Sequence, residues 1–334
     1  MPTITVLGAG SWGSALAVHL VRGGHSVRLW ARDPLLAEEM AAHRENTTYL
    51  PDIPLGEQVL VTHALGDAIR DAELVVSAVP SHGCRSVIRA ARNYVRPGLV
   101  FVSATKGLEG DTLLRMSEVI AEELGSAHPI VVLSGPSFAL EVARQLPTAI
   151  VAASSSEAAI ALVQAEFRGP YFRLYGSDDV VGVEIAGAMK NIIAIAAGVV
   201  EGLGLGHNAL AALITRGLAE ISRLACAAGG RRETLAGLSG LGDLVLTCTG
   251  GLSRNRHVGI ELAKGRRLDE ILAGMKMIAE GVRTTSAALA LGTRYGVELP
   301  IATQMSEVLA GRADVQSALD RLMLRRQRAE AEAR

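Results

Sequence analysis

The apolar run Thr3 to Leu7 ends at Gly8-Ala9-Gly10-Ser11-Trp12-Gly13, and a run of helix formers, Ser14 to Val21, follows at once. A strand that must turn within six residues into a helix leaves few folds open to the chain. Gly8 permits the tight turn, Gly10 lets a pyrophosphate approach the backbone, and Gly13 lets helix and strand pack closely. The free amides and positive dipole of the helix start face the phosphates. A glycine-rich turn without a ligand is the bland alternative, and this placement between strand and helix argues against it.

A second strand, Ser26 to Trp30, is followed by Ala31-Arg32-Asp33. A carboxylate here holds the ribose diol of NAD, whereas an arginine accepts the 2′-phosphate of NADP or covers the adenine. Asp33 also reads as the start of a turn with Pro34, so both cofactors stay open. Further strands are expected at Val59 to Val61, Leu74 to Val79, Leu99 to Ser103, Ile130 to Leu133, Thr148 to Ala153 and Tyr171 to Tyr175, with helical segments between most of them. That alternation predicts a Rossmann-type, largely parallel sheet with right-handed crossovers, whose post-strand loops share one ligand-binding edge. The edge would carry Ser11 and Trp12, Pro80-Ser81-His82, Thr105-Lys106-Gly107 and Gly135-Pro136-Ser137-Phe138-Ala139. Lys106 then falls near the nicotinamide end, where a cation suits an anionic or carbonyl substrate. His82 is read as structural, at a helix start.

Gly176-Ser177-Asp178-Asp179 ends the strand pattern, and an aspartate cap suits the start of a long helix. The expected division is a dinucleotide-binding domain, 1–178, and an all-helical substrate-binding domain, 179–334. The helix Asp179 to Gly198 is apolar on nearly every side yet carries Lys190. At 3.6 residues per turn Val183, Ala186, Gly187, Ala194 and Ala197 surround the lysine with mostly small neighbours, while Ile185, Met189, Ile192 and Ile195 form a bulky face. A lysine stem packed on apolar surface with its head in water is the ordinary outcome. One held at a crevice has its pKa lowered and can exchange a proton with a substrate oxygen. Two glycine-punctuated loops add polar groups. In Leu238-Ser239-Gly240-Leu241-Gly242-Asp243 the carboxylate reads either as a helix cap or as a ligand, and in Ser253-Arg254-Asn255-Arg256 a helix start bearing an arginine reads either as a surface cap or as an anion site.

The chain has 334 residues, 49% hydrophobic and 20% charged, with a formal net charge of -1. Two domains with their own cores are expected, and the charge balance gives no reason for a nucleic-acid partner or an acidic membrane surface. Cys84, Cys226 and Cys248 are scattered, show no metal-ligand spacing and read as reduced thiols, so no metal site is expected. The sequence opens on a strand without a charged and apolar leader, and no stretch reads as long enough to span a bilayer, which points to a cytoplasmic protein without membrane insertion. The end, Arg325 to Arg334, alternates arginine with Glu330 and Glu332 and reads as a frayed helix.

The runs GAGSWGSALA, AVPS, SATKGLE, LSGPSFA, EIAGAMKNIIAIAAG, ALITRGLAEISRL, LSGLGDLVLTC, SRNRHVG and AEGVRTT resemble those of the bacterial NAD(P)-dependent glycerol-3-phosphate dehydrogenases, over essentially the entire chain. The resemblance implies a helical half like the C-terminal domain of 6-phosphogluconate dehydrogenase, with NAD(P)H and dihydroxyacetone phosphate as reactants. It implies Lys190 as general acid/base and Lys106, Gly135, Ser137, Lys190, Asp243, Ser253, Arg254 and Asn255 around the triose phosphate. Gly10, Ser11, Trp12, Gly13, Arg32, Lys106, Ala139, Arg254, Ile278 and Glu280 would meet the dinucleotide. It further implies sn-glycerol 3-phosphate made for phospholipid synthesis, by a homodimer. The wording around Arg32 and at His82-Gly83-Cys84 departs mildly from the family's commonest form. A related reductase of carboxylated substrates would share the fold and a helix lysine, but not Ser253-Arg254-Asn255 beside GLGDL; a dinucleotide-sensing protein without catalysis is the rival of another class.

Overall fold

The structure, a computed structural model, describes residues 2–277 and 279–326. Ile278 and all of the charged end beyond Arg326 lie outside the described residues. Strands β1 (Thr3–Leu7), β2 (Ser26–Trp30), β3 (Glu45–Asn46), β4 (Leu50–Pro54), β5 (Val59–Thr62), β6 (Leu74–Ser77), β7 (Val100–Ser103), β8 (Ile130–Ser134), β9 (Thr148–Ala153) and β10 (Phe172–Ser177) form an eight-stranded sheet, ordered β10-β9-β8-β7-β6-β1-β2-β5, and a separate β3-β4 hairpin. Leu7 pairs with Trp30 and with Ser77, and Ser77 with Ser103, so adjacent strands end level and their following loops share one edge. Nearly continuous apolar runs make these strands, as a sheet covered on both faces requires. One face packs Ile4, Val6 and Val102 under helix Ser11–Arg22 with Leu16 and Leu20; the other packs Val75 and Phe101 under helices Ser81–Ala91 and Met116–Leu124 with Ile88 and Ile120.

The sheet is largely parallel, as expected, with two features the sequence did not show. β9 runs antiparallel to β8, and β10 parallel to β9, so the last two strands oppose the other six. The β8-β9 connection carries only the five-residue helix Ala139–Ala143. Such a helix extends about 8 Å, roughly half of what a five-residue strand spans, so the chain turns back at the same edge. The loops after β1, β6, β7 and β8 still gather there, because all four strands belong to the parallel set. The β3-β4 hairpin was not anticipated at all.

Helix Val180–Gly202 begins where the sheet ends, with Asp179 as its cap: Gly182 N donates to Asp179 Oδ1 at 2.8 Å. Contrary to the sequence-based expectation, its 23 residues are long and apolar enough to cross a membrane. They are instead buried as the core of the helical half, with Ile192, Ile193 and Ile195 fully inside. Helix Arg254–Ala263 crosses it at backbone contact. A Cβ on Gly198 would lie 1.9 Å from the Arg256 carbonyl oxygen, and one on Gly259 1.9 Å from that of Ile195. This close crossing brings Asn255 to the residue beside Lys190: its Nδ2 donates to Asn191 Oδ1 at 3.0 Å.

Candidate active site

At the carboxyl edge of the sheet one buried carboxylate holds two lysines. Lys190 Nζ donates to Asp243 Oδ1 at 2.5 Å and to Thr247 Oγ1 at 2.8 Å. Lys106 Nζ donates to Asp243 Oδ2 at 2.7 Å, to the Gly135 carbonyl at 2.8 Å and to Ser137 Oγ at 3.4 Å. Lys106 reaches in from the loop after β7, Gly135 and Ser137 from the loop after β8, and Asp243 and Lys190 from the helical half. Gly135 has φ +142°, and a Cβ there would sit 2.9 Å from Ile150 Cα, so only glycine turns its carbonyl to Lys106. Asp243 is 1% exposed and follows the π-helical turn Leu238–Gly242, in which a Cβ on Gly240 would strike the Leu235 carbonyl at 2.1 Å. Its carboxylate caps no helix amide. It serves the lysines.

The glycine-rich turn is shaped for a dinucleotide. Gly8 has φ +110° with a would-be Cβ 2.9 Å from the Ala78 carbonyl oxygen, and a Cβ on Gly13 would fall 1.8 Å from the Gly8 carbonyl oxygen. A Cβ on Gly10 would meet nothing within 4 Å. Gly10 is the N-cap of helix Ser11–Arg22 and gives it no side-chain cap, which leaves the first amides free for a phosphate. Trp12 Nε1 is buried without a hydrogen-bond partner among the described residues. These residues fit a bound pyrophosphate. Ser11 Oγ contacts Met277 Sδ at 2.8 Å, and Ala139 opens the short helix after β8. Arg32 is exposed, whereas Asp33 caps helix Pro34–His43 through Leu35 N at 3.0 Å, the turn role foreseen for it.

The remaining candidates line the helical side. Ser253 Oγ accepts from Arg256 N at 3.2 Å and caps helix Arg254–Ala263; Arg254 makes no hydrogen bond among the described residues, and the Glu280 charge acts on its guanidinium, which its surroundings partly desolvate. Asn255 is tied into the scaffold, since its Oδ1 also accepts from Gly281 N at 3.0 Å. Glu280 accepts from Ser81 N at 3.2 Å and from Ser81 Oγ at 2.7 Å, which ties the start of helix Glu280–Tyr295 to the loop after β6.

Two family models match, the NAD-dependent glycerol-3-phosphate dehydrogenase N-terminus over residues 3–160 and the C-terminus over residues 179–320. The chain is 55% identical over 274 residues, 81% of either chain, to glycerol-3-phosphate dehydrogenase (NAD(P)+) of Koribacter versatilis. The chain belongs to the NAD(P)-dependent glycerol-3-phosphate dehydrogenases. Among solved structures it is similar to the glycerol-3-phosphate dehydrogenase of Coxiella burnetii, with TM-score 0.94 and 41% identity over 97% of this chain and 99% of that one. It is also similar to that of Saccharomyces cerevisiae, with TM-score 0.81 and 27% identity over 96% and 99%.

In this dehydrogenase the lysine pair is tuned by its surroundings. Burial draws the Lys190 ammonium down to about 7, Asp243 pulls against it, and Lys106 adds to it. Burial alone would raise the Asp243 carboxyl, but Lys106 and Lys190 outweigh it and hold the acid below its usual value. Sequence reasoning missed two residues the site uses. Thr247, one turn beyond Asp243 on the same helix face, receives the second Lys190 hydrogen bond; its i, i+4 spacing was the available signal. Asn46, on the unforeseen hairpin, donates to the Ala9 carbonyl and to Ser14 Oγ, both at 2.8 Å, and so braces the glycine-rich turn. No local pattern marked it.

Proposed function

We propose that this enzyme reduces dihydroxyacetone phosphate reversibly to sn-glycerol 3-phosphate, with Lys190 as the general acid/base. The observation that carries the reading is the Lys190–Asp243–Lys106 arrangement, a lysine drawn to about 7 at the edge of a dinucleotide-binding sheet. A group titrating near the working pH gives up a proton in one direction and takes it back in the other. The reduced nicotinamide, when bound, supplies the hydride that C2 of the ketone receives. Lys190 gives the ketone oxygen its proton: the N–H bond breaks, the O–H bond forms, and the neutral amine is reprotonated from water. Lys106 orients the carbonyl, with Gly135 and Ser137 fixing its ammonium. Asp243 keeps Lys190 aimed, and Thr247 shares that task. Arg254 and the amides after Ser253 receive the phosphate, and Asn255 holds that helix start against the Lys190 helix. Gly10, Ser11, Trp12, Gly13, Arg32, Lys106, Ala139, Arg254 and Glu280 form the dinucleotide cradle, and Ile278, which the resemblance adds, lies outside the described residues.

We place a dinucleotide-binding domain at 1–178 and a substrate-binding domain at 179–334, with Lys106, Gly135 and Ser137 of the first reaching the substrate and Arg254 and Glu280 of the second reaching the dinucleotide; the sheet's end at Ser177 and the Asp179 cap support that boundary. A cytoplasmic homodimer supplying glycerophospholipid synthesis completes the proposal, supported by the family resemblance. The test is oxidation of NADH and NADPH with dihydroxyacetone phosphate, with unphosphorylated dihydroxyacetone as control. Lys190→Ala should lower turnover about 10²- to 10⁴-fold with dinucleotide affinity nearly intact. Arg254→Ala should raise the KM for the phosphorylated ketone about tenfold or more. Full turnover without Lys190, or an unchanged KM without Arg254, removes that residue from its role.

A further inference from the structure

We infer that Glu184 is a positioning residue for this reaction: it pins the helix that carries Lys190 to the connection that carries Lys106, and so fixes the spacing of the two lysines. The inference rests on the reading of Lys190 as the acid. Glu184 is 5% exposed on the mostly apolar helix that also carries Lys190. Its Oε1 accepts from Ser117 N at 2.8 Å, and its Oε2 from Ser117 Oγ at 2.5 Å and Arg115 Nη1 at 2.7 Å. Ser117 lies in the first turn of helix Met116–Leu124, where unpaired amides and the helix dipole favour a carboxylate. Arg115 is itself braced by Glu118, Nη2 to Oε1 at 2.7 Å.

These bonds close a ring. Lys106 and Ser117 belong to one connection, from β7 into helix Met116–Leu124; Glu184 and Lys190 belong to one helix, about 9 Å apart along its axis. One cross-link between the two segments is Glu184 on Ser117 and Arg115. The other is Asp243, which grips both lysines. Between the cross-links the helix, bare at Gly187, packs directly on the Ser134 and Lys106 side chains: a Cβ on Gly187 would lie 2.9 Å from Ser134 Oγ and 3.6 Å from Lys106 Cγ. A helix this close transmits any slip or rotation directly to Lys190. Stability alone is a weak reason to bury Glu184, since well-packed apolar side chains commonly serve as well as a buried ion pair. What an apolar residue cannot supply is a fixed register.

The test is a double-mutant cycle in the full-length enzyme. Glu184→Gln keeps the shape and loses the charge that Arg115 and Ser117 hold; it should lower kcat about 10- to 100-fold, the usual consequence of an ångström-scale misplacement. NADH affinity and the KM for dihydroxyacetone phosphate should change less than about threefold. In a Lys190→Ala background the same substitution should cost almost nothing further, because a positioning residue acts only through the group it positions. An equal loss in both backgrounds, or full turnover in Glu184→Gln beside a disabled Lys190→Ala, overturns the inference alone. Full turnover in Lys190→Ala overturns the acid assignment and the inference with it. Should Glu184→Gln melt below the assay temperature, Ser117→Ala, which removes one donor and leaves the Arg115 pair, goes through the same cycle with a loss of about 2- to 10-fold expected.

Discussion

Replacing Asp243 by asparagine separates charge from geometry at the reacting lysine. The amide fills the same space and still accepts one hydrogen bond, but the carboxylate that sits 2.5 Å from Lys190 and 2.7 Å from Lys106 is gone. Two pulls on Lys190 then remain, burial and the Lys106 charge, and both lower it. An opposite charge at this range typically moves a neighbour by about 1–3 pKa units, so a lysine near 7 falls to roughly 4–6. At neutral pH the ammonium fraction drops from about one half to between about one tenth and one thousandth, and ketone reduction slows by about 5- to 500-fold from protonation alone. The assay is kcat for reduction from about pH 5 to 9, since kcat reports groups in the substrate complex. Wild type should lose activity as pH rises through about 7, and the variant should show the same limb displaced to lower pH, so that its deficit shrinks in acid. A deficit of equal size at every pH would show that Asp243 only aims the lysine, and would refute the electrostatic account.

Asn46→Ala strips the glycine-rich turn of its brace at Ala9 and Ser14, and should raise the dissociation constant for NADH about tenfold, by fluorescence titration, with the KM for the ketone phosphate unchanged. Arg32→Ala should raise the KM for NADPH about tenfold or more and that for NADH less than about threefold, because Asp33 is occupied as a cap and Arg32 is exposed with no ion-pair partner among the described residues; equal changes would exclude a 2′-phosphate contact. Glu220 accepts from Ile301 N and Ala302 N, both at 2.9 Å, yet burial raises its carboxyl from 4.5 to about 7. The folded chain therefore binds the extra proton between those values, and stability falls as pH rises through that window, by about 3 kcal/mol for 2.5 units. Melting curves of Glu220→Gln should be flatter over the same range, and an unchanged slope would assign the pH dependence elsewhere.

The strands of the main sheet were readable because most are apolar runs between turn residues, and the glycine-rich turn because its strand and helix neighbours are local. Direction was not readable for β9: whether a chain crosses the sheet or turns back depends on the length of the intervening helix, and Ala139–Ala143 carries no sequence mark of being short. The Lys190 helix stood out as an apolar stretch holding one lysine, yet Glu184, six residues earlier, carried no such mark. A mid-helix glutamate usually faces water, and its partners Arg115 and Ser117 lie some seventy positions away in sequence. Asn46 was hidden for the same reason, since its acceptor at Ala9 is remote in the chain. Residues whose role is to join distant segments leave little local pattern, whereas residues whose chemistry is rare in their setting do.

The charges at the cleft suggest how substrate and acid act on one another. Lys190 is about half cationic near pH 7 between the opposed charges of Lys106 and Asp243, and the Glu280 charge acts on Arg254. An anion brought near Lys190 favours its ammonium form. On the proposed reading, the ketone phosphate therefore arms the acid that reduces it, and an unphosphorylated ketone loses both its anchor and part of its proton donor. This makes the phosphate a contributor to kcat as well as to KM, in keeping with binding energy from a remote group spent at the reacting centre.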